Sequence, residues 1–352
     1  MVDQLSKRFG WTPIVILLLV TNGAFAYAVE DDFGSSCLGG KECLKRSVWI
    51  GRYVIENDQL RIQDHSVFRG GAAAWIGVDE DFLHDCTVED VDGVNRQVCL
   101  QKTEVRERVW RRYAKPGWYG FSFRLEGQIR ERNSERFILA QWKREKSDGS
   151  PFLALRFDNG VFHITLQDDD LKNEKDECRV LLAKAPGNFD AKLKTFATDE
   201  GNAPCMWTDD AGRMDSNVNV SGPNGGPPGL LPDPCVGWVD VVFFVKASET
   251  GKGEIRAYAA ANRFASLSDL MAIAKGRIRA PGLGDLQYFK FGVYRDVITD
   301  FGVLPFAMYF DEYRRGDEPG DVFVDEPPEV SSLEFSKTEI PTRECSLRPI
   351  GS

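Results

Sequence analysis

Short segments in which apolar and polar positions alternate recur along most of this chain. In 119–125, aromatic and aliphatic residues alternate with small or charged ones, and a period of two is typical of a half-buried β-strand. The turn sequence Asp158-Asn-Gly160 separates two further segments and predicts a tight hairpin. Apolar spacing predicts a helix only over 266–275. The other predicted strands are 137–143, 152–157, 161–167, 238–246, 255–259, 288–294 and 306–313.

Many short strands without a strand–helix–strand rhythm predict an all-β fold of two packed antiparallel sheets. We expect this domain to span 29–325 and residues 326–352 to form a C-terminal tail. The connection 186–235 is rich in Gly, Pro, Asn and Asp. Loops of that length inside compact domains are usually functional or disordered. Because Cys205 and Cys235 would pin this one, we interpret it as an ordered loop bordering a cleft.

The N-terminal segment predicts export. Two basic residues precede the apolar run 13–20, and Ala24-Phe-Ala26 offers a small-residue cleavage site. Residues 1–26 are interpreted as a signal peptide, because the apolar run is too short to span a bilayer comfortably. We expect a secreted protein, extracellular or periplasmic, that is a monomer and has no membrane partner after cleavage.

Eight cysteines follow this segment. An even number after an export signal predicts an oxidising compartment and up to four disulfides. The short separations of Cys37 from Cys43 and of Cys86 from Cys99 suggest local bridges, and the remaining pairing is open. With three histidines and no CxxC motif, we expect no structural zinc site. No cofactor is expected to be required, although the acidic run 168–170 could hold calcium, as could Asp209 and Asp210.

The formal net charge is −10, which disfavours nonspecific binding to nucleic acid. An anionic partner of such a protein would have to meet a local concentration of basic residues. Two clusters in the sequence could supply it. The first comprises Arg106, Arg108, Arg111, Arg112 and Lys115, and the second comprises Lys275, Arg277, Arg279 and Lys290.

Three predicted strands carry polar side chains on one face and apolar side chains on the other. In 288–294, Lys290 and Tyr294 share one face, while phenylalanine and valine occupy the other. This pattern indicates a half-solvated antiparallel layer, and on a concave sheet the polar side chains would converge. The polar residues of the three strands are Lys102, Glu104 and Arg106, then Gln141 and Lys143, then Lys290 and Tyr294.

These segments carry a family resemblance. Tyr288-Phe-Lys-Phe-Gly-Val-Tyr294 resembles the Tyr-Phe-Lys-x-Gly-x-Tyr signature of the jelly-roll polysaccharide lyases, which include alginate, glucuronan and heparin lyases. Lys102-Thr-Glu-Val-Arg106 is similar to their Arg-Ser/Thr-Glu-Leu-Arg segment, with lysine in the first place. Gln141-Trp-Lys143 occupies the place of their Gln-x-His. The strand 118–123 and the segment 308–316 resemble two further family strands, in family order.

The resemblance implies a concanavalin-like antiparallel β-jelly roll with a concave substrate groove. It also implies cleavage of an anionic polysaccharide by β-elimination at a uronic acid. Arg106 and Gln141 would then neutralise the sugar carboxylate. Tyr294 would protonate the leaving oxygen or act as the base, and Lys290 would lower its pKa. The residues assigned to substrate binding are Lys102, Glu104, His163 and Arg295.

Lys143 departs from the family pattern, because histidine is expected there. Lys143 could be a second neutralising cation while Tyr294 makes both proton transfers. Alternatively, His163 could supply the imidazole, or it could be a surface residue sharing a strand face with Thr165 and Gln167. In a third interpretation the lyase activity is lost and a sugar-binding groove remains.

Two other function classes compete with the lyase. A glycoside hydrolase would need two closely spaced carboxylates, but no Glu-x-Asp-x-x-Glu occurs on a predicted strand, and the adjacent Asp311 and Glu312 would face opposite ways. A non-catalytic, lectin-like protein on the same fold is compatible with eight tryptophans. The sequence leaves the polymer open among glucuronan, alginate and glycosaminoglycans, all of which carry a uronic acid carboxylate.

Overall fold

The structure is a computed structural model of the chain. The predicted signal peptide, the cysteines at 37 and 43, and the acidic pair at 209–210 lie outside the residues it describes. The described residues are 29–31, 49–50, 60–63, 67–69, 73–78, 83–91, 93–107, 111–130, 137–145, 151–158, 160–168, 178–187, 207–208, 214–215, 218–248, 251–276, 278, 284–324 and 345–348.

The described part of the chain is built of β-strands joined by turns and short 3-10 helices. The strands are β1 (Val29–Asp31), β2 (Trp49–Ile50), β3 (Leu60–Gln63), β4 (Ala73–Val78), β5 (His84–Val91), β6 (Val94–Glu107), β7 (Arg111–Arg112), β8 (Gly117–Arg130), β9 (Phe137–Arg144), β10 (Leu153–Asp158), β11 (Val161–Asp168), β12 (Cys178–Lys184), β13 (Trp207–Thr208), β14 (Met214–Asp215), β15 (Asn219–Ser221), β16 (Val239–Lys246), β17 (Gly253–Ala261), β18 (Leu270–Gly276), β19 (Leu286–Ile298), β20 (Phe306–Gly316) and β21 (Cys345–Arg348). The 3-10 helices are Pro223–Gly225, Leu267–Asp269, Thr299–Phe301 and Pro319–Asp321. Within these residues, no helix is long and apolar enough to cross a membrane.

Two large sheets make up the fold. The ten-stranded sheet has the order β15-β18-β17-β16-β8-β20-β4-β3, with β1 beside β20 and β21 beside β8. The nine-stranded sheet has the order β12-β11-β10-β9-β19-β6-β2, with β5 beside β6 and β7 beside β19. The pairs in both sheets are antiparallel except for β21 with β8. The predicted all-β jelly roll of two antiparallel sheets is therefore confirmed.

Aromatic side chains fill the space between the sheets. The rings of Phe291 in β19 and Phe310 in β20 stack with centroids 3.6 Å apart. Phe137 in β9 and Phe306 in β20 meet at 4.5 Å. These contacts join the inner faces of two layers, as in other face-to-face sandwiches. The opposite face of the nine-stranded sheet carries the polar residues that the sequence singles out.

Two disulfides lie in the described residues. Cys86 and Cys99 are bonded, which confirms the local bridge predicted from their spacing. Cys235 is bonded to Cys345, a pairing that the sequence left open. This bond and the pairing of β21 with β8 attach the segment 345–348 to the ten-stranded sheet.

The described part of the long connection joins the edges of the two sheets. Gly229 N donates to Met271 O in β18 at 2.8 Å, and Leu231 N donates to Lys184 O in β12 at 2.9 Å. Residues 218–235 thus pair with main-chain groups at these edges, whereas Cys205, the other expected anchor of this connection, lies outside the described residues. Because Cys235 bonds to Cys345, its anchor is the ten-stranded sheet.

The predicted helix over 266–275 is wrong. Leu267–Asp269 is a short 3-10 helix, and Leu270–Gly276 is strand β18. That strand pairs with β17 on one side and β15 on the other. Its buried alanines, Ala272 and Ala274, alternate with more exposed residues. Ladder pairing on both edges therefore outweighs the helical spacing of the local sequence.

Candidate active site

The three polar segments predicted to converge lie on adjacent strands. Strand β19 runs between β6 and β9, so that Lys290 lies opposite Arg106 on one side and opposite Gln141 on the other. Tyr294 lies opposite Lys102. We call the resulting group the polar-face cluster. Its members are Lys102, Glu104, Arg106, Gln141, Lys143, Tyr288, Lys290 and Tyr294.

Glu104 organises the centre of this cluster. Its Oε1 accepts a hydrogen bond from Gln141 Nε2, and its Oε2 accepts one from Lys290 Nζ at 3.0 Å. Lys102 Nζ lies 3.9 Å from the same Oε2. The Glu104 side chain is 4% exposed, whereas that of Lys102 is 48% exposed. The carboxylate is thus enclosed by donors, while positive charge reaches solvent.

Glycine at 292 permits this close packing of strands. Gly292 lies opposite Glu104 and has φ +134°. A Cβ added there would lie 2.1 Å from Thr103 O and 2.8 Å from Glu104 Cα. Only a residue without a side chain fits both the backbone angle and the space. The register with β9 also shifts between Phe291 and Tyr294, which marks a bulge beside the cluster.

Tyr294 has a different cationic neighbour from the one expected. Lys102 Nζ lies 5.6 Å from the centroid of the Tyr294 ring. Lys290 was expected to act on this phenol, but its ammonium donates to Glu104 instead. The cross-strand partner, rather than the residue four positions earlier on the same strand, therefore brings positive charge to the tyrosine.

Arg106 is held against Tyr288. The guanidinium carbon of Arg106 lies 5.2 Å from the centroid of the Tyr288 ring, a distance at which a cation is attracted to an aromatic face. Burial raises the pKa of Tyr288, and the positive charge of Arg106 opposes that shift. The sequence assigned Tyr288 no role, although it begins the alternation that continues through Lys290 and Tyr294.

Lys143 occupies the position opposite Tyr288 on β9. Burial, followed by the positive charge of Lys290, lowers its pKa to about 8. Lys102 and Arg144 contribute in the same direction, and the negative charge of Glu104 opposes them. An appreciable fraction of the Lys143 amine is therefore neutral in mildly alkaline solution.

His163 is not a surface residue. It is 0% exposed, and its Nδ1 lies 3.1 Å from Val161 O. On the same strand, Thr165 accepts from Arg156 Nε at 2.8 Å, and Gln167 accepts from Arg156 Nη2 at 3.3 Å. The expected contact of His163 with substrate is corrected because the imidazole is fully buried.

Arg295 is likewise corrected as a substrate-binding residue. It is 1% exposed, and its Nε donates to Gln101 Oε1 at 2.6 Å. Its guanidinium also donates to Leu304 O and lies 5.2 Å from the Phe137 ring centroid. Because Arg295 follows Tyr294 directly, strand alternation turns it toward the core.

The two adjacent carboxylates that a glycoside hydrolase could have used lie outside the polar-face cluster. Asp311 and Glu312 belong to β20 of the ten-stranded sheet, and both are buried. Asp311 Oδ2 accepts main-chain hydrogen bonds from Phe68 at 3.0 Å and Arg69 at 3.2 Å. Burial, followed by the charge of Glu312, raises the pKa of Asp311 to about 8. Asp311 thus holds the segment 67–69, and neither carboxylate belongs to the polar-face cluster.

No group of three or more His, Cys, Asp or Glu in the described ranges could hold a metal ion. The acidic residues 169–170 and 209–210, considered for calcium, lie outside those ranges. The chemistry available in the cluster is that of ammonium, guanidinium, amide and phenol groups around one carboxylate. Such a set suits recognition of an anion and proton transfer.

Comparison with known proteins gives a match to one protein family. A family model described as polysaccharide lyase matches residues 41–314, which is more than half of the chain. A search of the curated proteins finds no match.

Three solved structures are similar to this one. An endo-β-1,4-glucuronan lyase from the fungus Trichoderma reesei has 13% identity and a TM-score of 0.39, covering 76% of this chain and 90% of that chain. The alginate lyase A1-II′, a member of polysaccharide lyase family 7, has 11% identity and a TM-score of 0.37, with 77% and 97% covered. An exolytic alginate lyase from Zobellia galactanivorans has 8% identity and a TM-score of 0.37, also with 77% and 97% covered.

Proposed function

Since the chain belongs to the polysaccharide lyase family, we propose that it cleaves a uronic-acid polysaccharide by β-elimination on the polar-face cluster. The observation that carries this proposal is the alignment of Arg106, Lys290 and Gln141 across three adjacent strands. The protein as a whole is acidic, with a net charge of −10. A concentration of cations on one sheet face would therefore attract an anionic polymer to that face.

Neutralising the sugar carboxylate is the first requirement of the reaction. The proton at C5 is weakly acidic beside an ionised carboxylate, and the developing enolate needs donors already in place. Lys102 offers an exposed ammonium, and Arg106 offers a guanidinium steadied by Tyr288. Gln141 has a second amide hydrogen besides the one given to Glu104. These three groups would bind the carboxylate.

Tyr294 would donate the proton to the leaving oxygen at C4. Its phenol projects from the same face as Lys102, whose ammonium lies 5.6 Å from the ring centroid. That positive charge would stabilise the phenolate left after proton donation. The role assigned to Tyr294 thus rests on its position beside an exposed cation.

Glu104 would position other residues rather than contact the sugar. A carboxylate repels a uronate, and both Glu104 oxygens already accept hydrogen bonds from cluster residues. One hydrogen bond fixes which end of the Gln141 amide faces Glu104, and the other joins Glu104 to Lys290 Nζ. Lys290 would therefore contribute through its positive charge, without contacting the sugar directly.

The test is a screen of purified protein against glucuronan, alginate and glycosaminoglycans. Elimination creates a conjugated double bond, so ultraviolet absorbance and reducing ends should rise together on at least one polymer. Reducing ends without absorbance would identify a hydrolase and refute the proposal. Binding without either signal would leave a lectin-like protein. Tyr294→Phe is the matched control, since it removes one oxygen and keeps the ring.

Export is part of the same proposal. The disulfides Cys86–Cys99 and Cys235–Cys345 fit an oxidising compartment, and the segment 1–26 has the pattern of a signal peptide. We propose that the protein is secreted and acts as a monomer on an extracellular polymer. Mass spectrometry of the exported chain and its elution volume on a sizing column test these two points.

A further inference from the structure

We propose that Lys143, in its neutral amine form, is the base that removes the C5 proton. This inference rests on the proposed function and adds to it the residue that begins the elimination. A cation that only neutralised charge would leave the C5 proton without an acceptor other than Tyr294.

The position of Lys143 supports this role. It lies two residues after Gln141 on β9, on the same face of the strand, and its side chain is partly exposed. It lies opposite Tyr288 of β19, and the guanidinium of Arg106 lies over the Tyr288 ring. A uronate carboxylate held by Gln141 and Arg106 would therefore place the carbon that bears it beside the Lys143 amine.

The charges facing Lys143 favour its neutral form. Lys290 approaches from β19, Lys102 from β6 and Arg144 from the same strand, and all three disfavour a further positive charge. Glu104, from β6, is the opposing carboxylate. On the other side of β9, just before β10, the neighbour is the apolar Phe152, whose N–H donates to Trp142 O at 3.2 Å. Three cations and burial outweigh one carboxylate, which accounts for a pKa of about 8.

The alternatives are weaker on structural grounds. Lys290 is ion-paired with Glu104 at 3.0 Å, and the Lys102 ammonium is well exposed to water. His163 is fully buried. Lys143 therefore combines partial access with cationic neighbours.

The proposed step balances. The neutral Lys143 amine accepts the C5 proton, and the electron pair of that C–H bond becomes the double bond between C4 and C5. The bond from C4 to its oxygen breaks, and the oxygen leaves with the bonding pair. Tyr294 gives that oxygen its phenolic proton. Ammonium and phenolate are formed together, so the total charge of the cluster is unchanged, and water restores both groups afterwards.

The decisive experiment compares Lys143→Arg, Lys143→His and Lys143→Met across pH. Arginine keeps the positive charge but does not give up its proton in proteins, so Lys143→Arg should lower kcat by about 100-fold or more, as Lys143→Met should. Lys143→His should stay active, with the rising limb of kcat/KM moved from about 8 toward the ordinary histidine range near 6.5. Full activity of Lys143→Arg, or an unmoved limb in Lys143→His, would overturn the proposal.

A titration without substrate gives an independent answer. In protein carrying lysine labelled with ¹³C at Cε, the signal absent from Lys143→Arg should titrate with a midpoint of about 8. A midpoint at the ordinary lysine value would refute the assignment even if a variant failed to fold. Absence of unsaturated product from the wild-type protein would instead refute the proposed function, and this inference with it.

Discussion

Glu104 and Glu107 stand three residues apart on strand β6, and they serve two different regions of the molecule. Glu104 faces the polar-face cluster, where it accepts from Gln141 and Lys290. Glu107 faces the interior, where it accepts from Tyr313 Oη and from Arg315 Nη1 at 2.7 Å. Both side chains are nearly inaccessible to solvent, at 4% and 2%. Burial of a charged residue therefore does not by itself mark a functional site.

The difference lies in what surrounds each carboxylate. Arg315 and Tyr313 belong to β20, so the Glu107 group connects the two sheets through the core. All of its members are buried, and its charges have no route to a ligand. Burial raises the pKa of Glu107 against the opposing charge of Arg315. The cations around Glu104, in contrast, extend to an exposed Lys102. One group holds the sandwich together, and the other can meet a polymer.

The largest effect should come from the polar-face side. Tyr294→Phe should lower kcat by about 10²–10⁴-fold, because it removes the proton donor for the leaving oxygen. Its melting temperature should change little, since the partly exposed ring remains. Steady-state rates of product absorbance and a thermal melt measure both quantities. Retention of full activity would remove Tyr294 from the mechanism.

The next effect should come from the interior side and should be one of stability. Glu107→Ala leaves Arg315 buried without its carboxylate, so the unfolding free energy should fall by about 3–5 kcal/mol. Glu107→Gln retains the shape and one acceptor and should cost less. Denaturant unfolding gives these values. The specific activity of the folded fraction should remain that of the wild type, and a selective loss of kcat would break the contrast between the two glutamates.

Glu104→Gln tests the same contrast from the other side. The positioning role predicts a fall in kcat of about tenfold, the scale of a modest loss of preorganisation, with KM and stability little changed. The negative charge of Glu104 raises the pKa of Lys143, so removing it should move the rising limb of the pH profile below about 8. Equal changes in stability from Glu104→Gln and Glu107→Gln, with no shift of that limb, would assign Glu104 a structural role.

Alternation along single strands predicted much of this arrangement. The period of two in 288–294 identified the strand, which the structure confirms. It also put Lys290 and Tyr294 on one face, in agreement with the contacts of Glu104 with Lys290 and Lys102 and of Lys102 with Tyr294. The same rule places Arg295 on the opposite face, so its assignment to substrate binding departed from the pattern. What alternation could not supply is register between strands. The contact of Glu104 with Lys290 and the approach of Lys102 to Tyr294 depend on which residues of β6 and β19 lie opposite each other.

Long-range contacts explain the remaining errors. His163 has the local pattern of a surface strand residue, but it is fully buried, which alternation along its own strand does not reveal. The helix over 266–275 was wrong because β15 and β17 flank that segment. The bond from Cys235 to Cys345 joins residues separated by 110 positions, for which spacing gives no guide.

The smallest effect should belong to an ion pair that is neither catalytic nor internal. Asp269 accepts from Arg263 at 2.6 and 2.7 Å, and this hydrogen bonding is the main cause that lowers the pKa of Asp269 to about 2. A carboxyl whose pKa is lowered in the folded state stabilises the fold above its unfolded value of 3.8, and that contribution is lost as the pH falls toward about 2.

Solvent screens this exposed pair, so Arg263→Met should reduce the unfolding free energy at neutral pH by only about 0.2–1 kcal/mol. Urea unfolding of the variant and the wild type at several pH values measures the difference. It should shrink between pH 3.8 and about 2, and added salt should weaken it. A loss at neutral pH as large as that of Glu107→Ala would mean that exposure does not separate weak from strong carboxylate pairs in this sandwich. The distinction between Glu104 and Glu107 would then need another physical basis.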